Sequence, residues 1–334
     1  MPQIAETRLE AALAPENDEI LRAALAGLSQ PQKSLPAWLF YDARGSELFE
    51  EITRLPEYYP TRAETAILAS AAHQIAADAP PGGVLVEFGS GSSRKTEILL
   101  DALPGLSAYA PIDVSQSALD EAVARIALRF PALRVIPTVG DFAAPLALPA
   151  ALAKRPRLGF FPGSTIGNFA PAEARDLLAH MAATLGPRGR LVIGVDLRKD
   201  LSILLPAYND SAGVTAAFNA NILARLNREA GADFDLDRFV HSAIFNAAEG
   251  RIEMHLVSVE PQQVTVMGRS FDFAAGESIH TENSYKYSIP QFEELARRAG
   301  WTPHRVWTDR DRMFSLHELV AANQAFEIDQ FHDF

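Results

Sequence analysis

The sequence predicts an α/β fold that combines a largely parallel sheet with an inserted α+β segment. Between residues 84 and 198, short apolar runs alternate with helical patterns, which is typical of βα units in one sheet. After residue 200 this alternation gives way to a long helical pattern and then to strands with period-two hydrophobicity. A last helix and a predicted β-hairpin follow near the end of the chain.

The first 80 residues have a helical pattern. Leu48 and Ile52 share one apolar face, and Thr61 and Glu64 have the spacing of a capping box at the start of a second helix. Between these helices lies Pro56-Glu57-Tyr58-Tyr59-Pro60, a turn that its two prolines restrict. We therefore predict an N-terminal helical segment over residues 1–80.

Five apolar runs predict the strands of the parallel sheet. They lack polar alternation, as expected of strands that are covered on both faces. Ser117 and Asp120, at capping-box spacing, mark the start of one intervening helix, and Pro171 and Gly186 bracket another. The runs are Val84–Phe88, Ala108–Ile112, Leu133–Thr138, Leu158–Phe161 and Leu191–Val195.

The segment over residues 200–286 is predicted to be an inserted α+β domain. A long amphipathic helix opens it, and alternate residues from Ile252 to Leu256 are apolar, as in an antiparallel strand. A helix over Ser288–Gly300 and two β runs, His304–Thr308 and Met313–Val320, then complete the sheet. The predicted division is 1–80, 81–199, 200–286 and 287–322, with a tail over 323–334.

Composition excludes several kinds of chemistry and partner. The absence of cysteine rules out disulfides, thiolate metal centres and cysteine nucleophiles, and it fits a reducing compartment. A formal net charge of −12 favours neither nucleic acid nor an anionic membrane, and no apolar run approaches the ~18 residues of a membrane span. The eight histidines lack HExxH spacing, so no metal site is expected. With no export signal visible, we expect the protein to be cytoplasmic. We also expect it to be a monomer.

A glycine-rich loop, Val86-Glu87-Phe88-Gly89-Ser90-Gly91-Ser92-Ser93, leaves the first strand and enters a helix, where open α/β sheets bind ligands. A dinucleotide motif or a P-loop would place glycine where Arg94 stands. Glu87 favours another ligand, because a carboxylate beside the loop repels polyphosphate but suits an ammonium and a sulfonium. S-adenosylmethionine (SAM) carries both groups. A tight turn without a ligand is the alternative.

Acidic residues at the next two strand ends favour an adenosine site. Asp113 lies 24 residues beyond Gly89, near the offset of roughly 20 at which an acid meets ribose hydroxyls in this topology. Asp141 and Phe142 follow the third strand, where a carboxylate can meet the adenine edge and a ring can stack on its face. Each acid alone is typical of an ordinary loop. The final helix and hairpin resemble class I methyltransferases, in which an antiparallel seventh strand closes the sheet.

The loop after the fourth strand, Phe161-Pro162-Gly163-Ser164-Thr165-Ile166-Gly167-Asn168-Phe169, is a candidate acceptor site. Its glycines let the backbone approach a small ligand closely, and Asn168 offers two donors and a carbonyl acceptor. The alternative for Asn168 is a helix N-cap ahead of Pro171.

Four stretches of the chain carry a resemblance to a known family. They are YDARGSELFEEITRLPEYYPTRAE, LVEFGSGSSRKT, FFPGSTIGNF and IHTENSYKYS. Together they resemble the histidine-specific Nα-methyltransferases of ergothioneine biosynthesis, and the similarity extends over nearly the whole length. The resemblance implies that three methyl groups pass from SAM to the α-amino nitrogen of L-histidine, giving hercynine. It also implies a class I methyltransferase domain with an inserted substrate-binding domain.

Position by position, the resemblance implies two sets of binding residues, and the segment over 1–80 contributes to both. The SAM contacts fall on Tyr41, Gly89, Lys95, Asp113, Asp141 and Phe142. The histidine contacts fall on Tyr58, Asn168, Tyr208, Met254, Glu282 and Ser284, and the catalytic role falls on Tyr58, Gly163 and Asn168. Aromatic faces for the growing quaternary ammonium are expected from Tyr58, Tyr59 and Phe49, although Phe49 also fits an apolar helical stripe.

Glu282 and Ser284, two residues apart on one strand face, are expected to bind the imidazole and to set the specificity. Asn168 and Tyr208 are neutral donors suited to the substrate carboxylate. One alternative is an enzyme for another aromatic amino acid, which would leave the Glu282 carboxylate buried without a partner. The others are a SAM-binding module without turnover and a dinucleotide-linked oxidoreductase.

Overall fold

The computed structural model describes residues 15–89, 94–144 and 146–322. Within these residues the chain folds into two compact units. The insert unit comprises residues 15–58 and 200–283, and the sheet unit comprises residues 59–199 and 284–322. No helix in these ranges is both long enough and apolar enough to cross a membrane.

The described residues contain nine α-helices and twelve strands. The helices are α1 Pro15–Leu28, α2 Ala43–Ile52, α3 Tyr59–Ala77, α4 Arg94–Ala102, α5 Gln116–Arg129, α6 Pro171–Leu185, α7 Leu201–Tyr208, α8 Val214–Glu229 and α9 Ile289–Arg298. The strands are β1 Val84–Phe88, β2 Ala108–Asp113, β3 Thr138–Val139, β4 Arg157–Phe161, β5 Arg190–Asp196, β6 Phe239–Asn246, β7 Arg251–Ser258, β8 Gln262–Val266, β9 Arg269–Phe273, β10 Ser278–Tyr285, β11 Trp301–Thr308 and β12 Phe314–Ala321.

The sheet unit contains a seven-stranded sheet in the order β11-β12-β5-β4-β1-β2-β3. Neighbours from β5 to β3 pair in parallel, whereas β12 is antiparallel to both β5 and β11. This confirms the predicted class I methyltransferase sheet with its antiparallel last strand. In such a sheet the carboxyl ends of the parallel strands share one edge, where ligands bind.

Helices cover both faces of this sheet. On one face, α3, α4 and α5 pack against Leu85, Tyr109 and Phe160. On the other, α6 and α9 pack against Val86 and Ile193. Coverage on both sides explains why β1 is buried along its whole length and why its run shows no polar alternation.

The insert unit is built on an antiparallel β core and a long helix. Strands β10, β7 and β6 form a three-stranded sheet in that order, and β8 pairs with β9. Within α8, the predicted apolar stripe is buried at Phe218, Ile222 and Leu226. A sheet with one helix-covered face accounts for the period-two pattern that the sequence shows in β7.

Two local predictions need correction. Helix α3 begins at Tyr59, so Glu64 lies in its second turn and does not form a capping box with Thr61. Strand β3 is only Thr138–Val139, because Pro137 has no N–H to donate to the ladder. Of the described residues in the predicted N-terminal segment, 15–58 belong to the insert unit and 59–80 to the sheet unit. Loop residues Ser90, Gly91, Ser92 and Ser93, the tail over 323–334 and the side chain of Ser117 lie outside what the structure describes.

Candidate active site

The first part of the site in the sheet unit joins the ends of β1 and β3. Gly89 has a φ of +78°, a conformation that favours glycine. A Cβ built on Gly89 would lie 3.5 Å from Cε1 of Phe142, so the aromatic ring lies against the Gly89 backbone. The Phe142 ring also contacts Phe161, with centroids 5.6 Å apart. The structure therefore brings together two of the residues assigned to SAM.

The two acids assigned to the adenosine lie at neighbouring strand ends, as predicted. Asp113 is the last residue of β2, and its Oδ1 accepts a hydrogen bond from the Ser115 N–H at 3.0 Å. Asp141 follows β3 and accepts from the Ala143 N–H at 2.8 Å. Asp113 is half-buried and Asp141 is exposed. Each carboxylate thus stabilises its own loop, which is the ordinary structural role of an acid in a loop.

Lys95 has a buried partner that the sequence did not reveal. Its ammonium lies 2.5 Å from Oε2 of Glu64, whose side chain is completely buried. The N–H of Gly163 donates to the same carboxylate, with N···O distances of 3.0 and 2.9 Å. Glu64 therefore contacts a residue assigned to SAM and a residue assigned to the amine.

Glu87 is enclosed within the sheet unit, contrary to the electrostatic role predicted for it. Its side chain is fully buried, and it accepts hydrogen bonds from Thr96 Oγ1 at 2.5 Å and from the Tyr109 hydroxyl. Burial raises the pKa of Glu87 to about 7, although these two bonds and the charges of Arg125 and Lys95 act in the opposite direction. The carboxylate is thus bound internally, so it is not the exposed charge that the sequence argument assumed.

The turn after β4 has an unusual backbone. Gly163 and Ser164 have φ values of +83° and +56°, and the chain then forms a short 3₁₀ helix over Thr165–Asn168. Left-handed geometry at a serine costs about 1–2 kcal/mol and needs support from its surroundings. Asn168 ends this 3₁₀ helix, whereas the N-cap of α6 is Ala170, so the N-cap alternative for Asn168 is wrong.

Asp196, the last residue of β5, is the centre of a buried polar network. It accepts hydrogen bonds from the Tyr59 hydroxyl at 2.7 Å, from Lys199 at 2.6 Å and from Lys286 at 2.7 Å. Its own N–H donates to Ser164 Oγ at 2.9 Å, which supports the left-handed turn. Burial opposes its ionisation, but the two lysines outweigh burial and hold the pKa of Asp196 below its usual value.

Two residues that the sequence predicts to contact the substrate belong to this network. Tyr59 is only 4% exposed and its hydroxyl is bound to Asp196, so its ring is not an open aromatic face for an ammonium. Ser284 is buried, and its Oγ accepts a hydrogen bond from Lys286 at 2.7 Å. The sequence offers one signal for Asp196: it is an acid at the end of a predicted strand, as Asp113 is.

In the insert unit, the structure brings the predicted tyrosines into one aromatic cluster. The Phe49 ring contacts Tyr41, Tyr58 and Phe218 at centroid distances of 6.0, 6.3 and 6.0 Å. Tyr58 in turn meets Tyr208 edge-on at 6.5 Å. Phe49 is half-buried, so it packs within the cluster and also presents part of its surface. The cluster gathers residues from α2, α7 and α8.

Glu282 lies near this cluster. The pKa of the Tyr41 hydroxyl is raised, first by enclosure and then by the charges of Glu282 and Tyr208. The Tyr41 residue as a whole is nevertheless 46% exposed. The backbone carbonyl of Glu282 accepts a hydrogen bond from His280 Nε2 at 3.0 Å when that nitrogen is protonated. Met254 is only 1% exposed, so it packs inside the unit.

Two groups of potential metal ligands occur among the described residues, and neither favours an ion. In the insert unit, the rings of His255 and His280 stack with centroids 4.8 Å apart and planes at 17°. Their nitrogen lone pairs lie in these nearly parallel planes and cannot both point at one ion, and Arg251 already pairs with Glu253 at 2.6 Å. The second group consists of Asp78, His304 and Glu318. Its two carboxylates already pair with arginines: Asp78 with Arg190 and Arg305, and Glu318 with Arg190.

Comparison with known proteins gives consistent matches. The family described as "Histidine-specific methyltransferase, SAM-dependent" matches residues 20–321. Histidine N-alpha-methyltransferase of Mycolicibacterium smegmatis is 44% identical over 91% of this chain and 95% of its own length. The protein of the same name from Mycobacterium tuberculosis is 43% identical over 88% of this chain and 92% of its own. Ergothioneine biosynthesis protein 1 of Neurospora crassa is 30% identical over 92% of this chain and 36% of its own.

Proposed function

The chain belongs to the family of SAM-dependent, histidine-specific methyltransferases, and we propose that it trimethylates the α-amino group of L-histidine to hercynine in ergothioneine biosynthesis. The observation that carries this proposal is 44% identity to a histidine N-alpha-methyltransferase over 91% of the chain. The sheet supports it, because its strand order and its antiparallel β12 provide the methyltransferase framework.

We assign SAM to the strand ends of the sheet unit. Phe142 beside Gly89 offers a flat apolar face to the adenine, and Asp113 at the end of β2 offers oxygens to the ribose. Lys95 and the Gly163 backbone lie together and suit the charged methionine end of the donor. Asp141 and Tyr41 complete the proposed set. These groups fit a ligand with one flat base, one sugar and one zwitterion.

We assign histidine to donors and acceptors of matching chemistry. Asn168 and Tyr208 donate to its carboxylate, Glu282 accepts from one ring N–H, and Ser284 donates to the other ring nitrogen. Met254 contributes apolar packing for the ring. The amine is assigned to Tyr58, Gly163 and Asn168, to which the resemblance gives the catalytic role. The bond from Lys286 supports this role for Ser284, because an oxygen that accepts from an ammonium becomes a stronger donor.

The reaction needs no covalent enzyme intermediate. In each step the nitrogen lone pair attacks the SAM methyl carbon, the carbon–sulfur bond breaks, and S-adenosylhomocysteine (SAH) leaves. Three such steps add three methyl groups and release three protons from the original ammonium, so the product keeps a single positive charge. The protein's contribution is to align donor and acceptor in line and to exclude water.

Incubation of the pure protein with SAM and each free amino acid tests the function. We expect a gain of 42 Da, about 14 for each methyl, with histidine alone. Nuclear magnetic resonance of the product should place all three methyl groups on the α-nitrogen. Methylation of another aromatic amino acid in preference to histidine, or SAM binding without product, would favour the alternative functions.

Oligomeric state and compartment form a separate part of the proposal. We propose that the protein is cytoplasmic, which the absence of cysteine supports, and that it is a monomer. Light scattering of the pure protein should give the mass of one chain, 36.3 kDa. A stable dimer at micromolar concentration would overturn the monomer.

A further inference from the structure

Glu64 is a buried carboxylate that contacts two separate segments of the sheet unit. Its relative exposure is 0%. Its Oε2 accepts from Lys95 Nζ at 2.5 Å, and the Gly163 N–H lies 3.0 and 2.9 Å from its two oxygens. Lys95 is the second residue of α4, whereas Gly163 begins the turn that carries Asn168. One side chain on α3 therefore connects the first turn of α4 to the turn after β4, at the ligand edge of the sheet.

The neighbouring strand leaves room for this carboxylate. A Cβ on Gly194, in β5, would lie 2.0 Å from Glu64 Oε1 and 2.9 Å from its Cδ. Such contacts are too short for real atoms, so any side chain at position 194 must displace Glu64. A buried carboxylate is tolerated only when paired and hydrogen-bonded, and Lys95 with the Gly163 N–H meets this requirement.

We propose that Glu64 is a positioning residue that fixes Lys95 and the Gly163 turn relative to each other. The inference rests on the proposed function, in which Lys95 faces the donor and Gly163 and Asn168 face the amine. Methyl transfer requires alignment of the reacting atoms to within about 1 Å, and a misplacement of that size costs on the order of 100-fold in rate. Glu64 also couples the two ligands. A shift of Lys95 on SAH binding displaces the Glu64 carboxylate, and the Gly163 turn, which is bound to the same carboxylate, moves with it.

Two variants perturb Glu64 in different ways. Glu64→Gln removes the charge and keeps the shape. Gly194→Ala keeps every charge but forces the carboxylate away from its position. Matched controls are Glu121→Gln, at an exposed position of α5, and Gly105→Ala, where a Cβ meets no atom within 4 Å.

The measurements are SAH and histidine binding by calorimetry, kcat and KM for histidine, and thermal unfolding. We expect SAH affinity to fall about tenfold in both variants, and kcat to fall about 100-fold with a smaller change in KM. In the unmodified protein, saturating SAH should change histidine affinity by about tenfold, and this factor should approach one in both variants. The controls should match the unmodified protein in every measurement.

Folded variants that keep the normal kcat, SAH affinity and coupling factor would overturn the proposal. A lower melting temperature with unchanged kcat per folded molecule and unchanged coupling would overturn it too, because Glu64 would then act only in stability. Failure of the proposed function is distinguishable: the unmodified protein would then not methylate histidine, and the tenfold loss of SAH affinity in both variants would still decide the role of Glu64 at Lys95.

Discussion

The ammonium of Lys286 donates a hydrogen bond to the hydroxyl oxygen of Ser284 at 2.7 Å, and both side chains are buried. The same ammonium pairs with Asp196 at 2.7 Å. Because Lys286 has only donors, Ser284 must turn its own hydrogen elsewhere. A predicted specificity residue is therefore oriented by a lysine that belongs to the buried network around Asp196.

Replacing Lys286 tests this orientation. We expect Lys286→Met to raise the KM for histidine about tenfold, the effect of losing one charge-assisted hydrogen bond, with little change in the KM for SAM. Asp196 keeps Lys199 and Tyr59 as partners, so the variant should fold with a lower melting temperature. Steady-state kinetics beside the exposed control Lys154→Met give the comparison. An unchanged KM for histidine would contradict the orientation of Ser284.

Loss of the Phe142 ring should weaken the binding of the methyl donor. The ring lies against Gly89, and stacking of an aromatic side chain on a base contributes about 1–3 kcal/mol. We expect Phe142→Ala to lower SAH affinity by about tenfold or more, as measured by calorimetry. Leu128→Ala, at a side chain that is 87% exposed, is the control. Equal affinities in the two variants would remove Phe142 from the donor site.

A double variant at Glu282 and Met254 tests the assignment of the imidazole pocket. Glu282→Ala removes the acceptor for a ring N–H, and Met254→Val opens space at a position that is 1% exposed. We expect kcat/KM for histidine to fall about 100-fold and activity toward larger aromatic amino acids to appear. Competition between histidine and tryptophan, followed by mass spectrometry, measures both effects. Normal histidine kinetics in the double variant would show that the pocket lies elsewhere.

The buried Glu87 predicts a specific dependence of stability on pH. Its pKa is about 7 in the folded protein against 4.5 ordinarily, so the fold holds a proton that the unfolded chain has already released. The free energy of unfolding therefore falls as pH rises from 4.5 to 7 and levels above that, a loss of about 3 kcal/mol from this group.

Glu87→Gln should remove this component, because an amide does not titrate. Urea unfolding of both proteins between pH 5 and pH 8 isolates it from the contributions of other groups. The variant should gain stability over the unmodified protein as pH rises, by up to about 3 kcal/mol. A difference that stays constant over this range would show that Glu87 is already ionised at pH 5.

Sequence patterns predict the ends of the buried strands better than they predict the contacts between buried side chains. The end of β1 was predicted at Phe88, and Asp113 and Phe142 were placed at strand ends because buried strands and the loops that follow them are local features. The role given to Glu87 was wrong, since its position in sequence does not reveal that Thr96 and Tyr109 enclose it. For the same reason, the sequence predicts Glu64 to be part of a helix cap, whereas it lies in the second turn of α3.

The sequence by itself determined the alternation of strands and helices over residues 84–198, the antiparallel closure of the sheet and the methyltransferase family, because hydrophobic periodicity and long motifs are encoded locally along the chain. Only the tertiary structure decided which buried charges meet. Glu64 contacts Lys95 and Gly163, which lie 31 and 99 residues away in sequence. Such partners come together only when the sheet has formed, and a carboxylate has no local pattern that announces which ammonium or N–H will stabilise it.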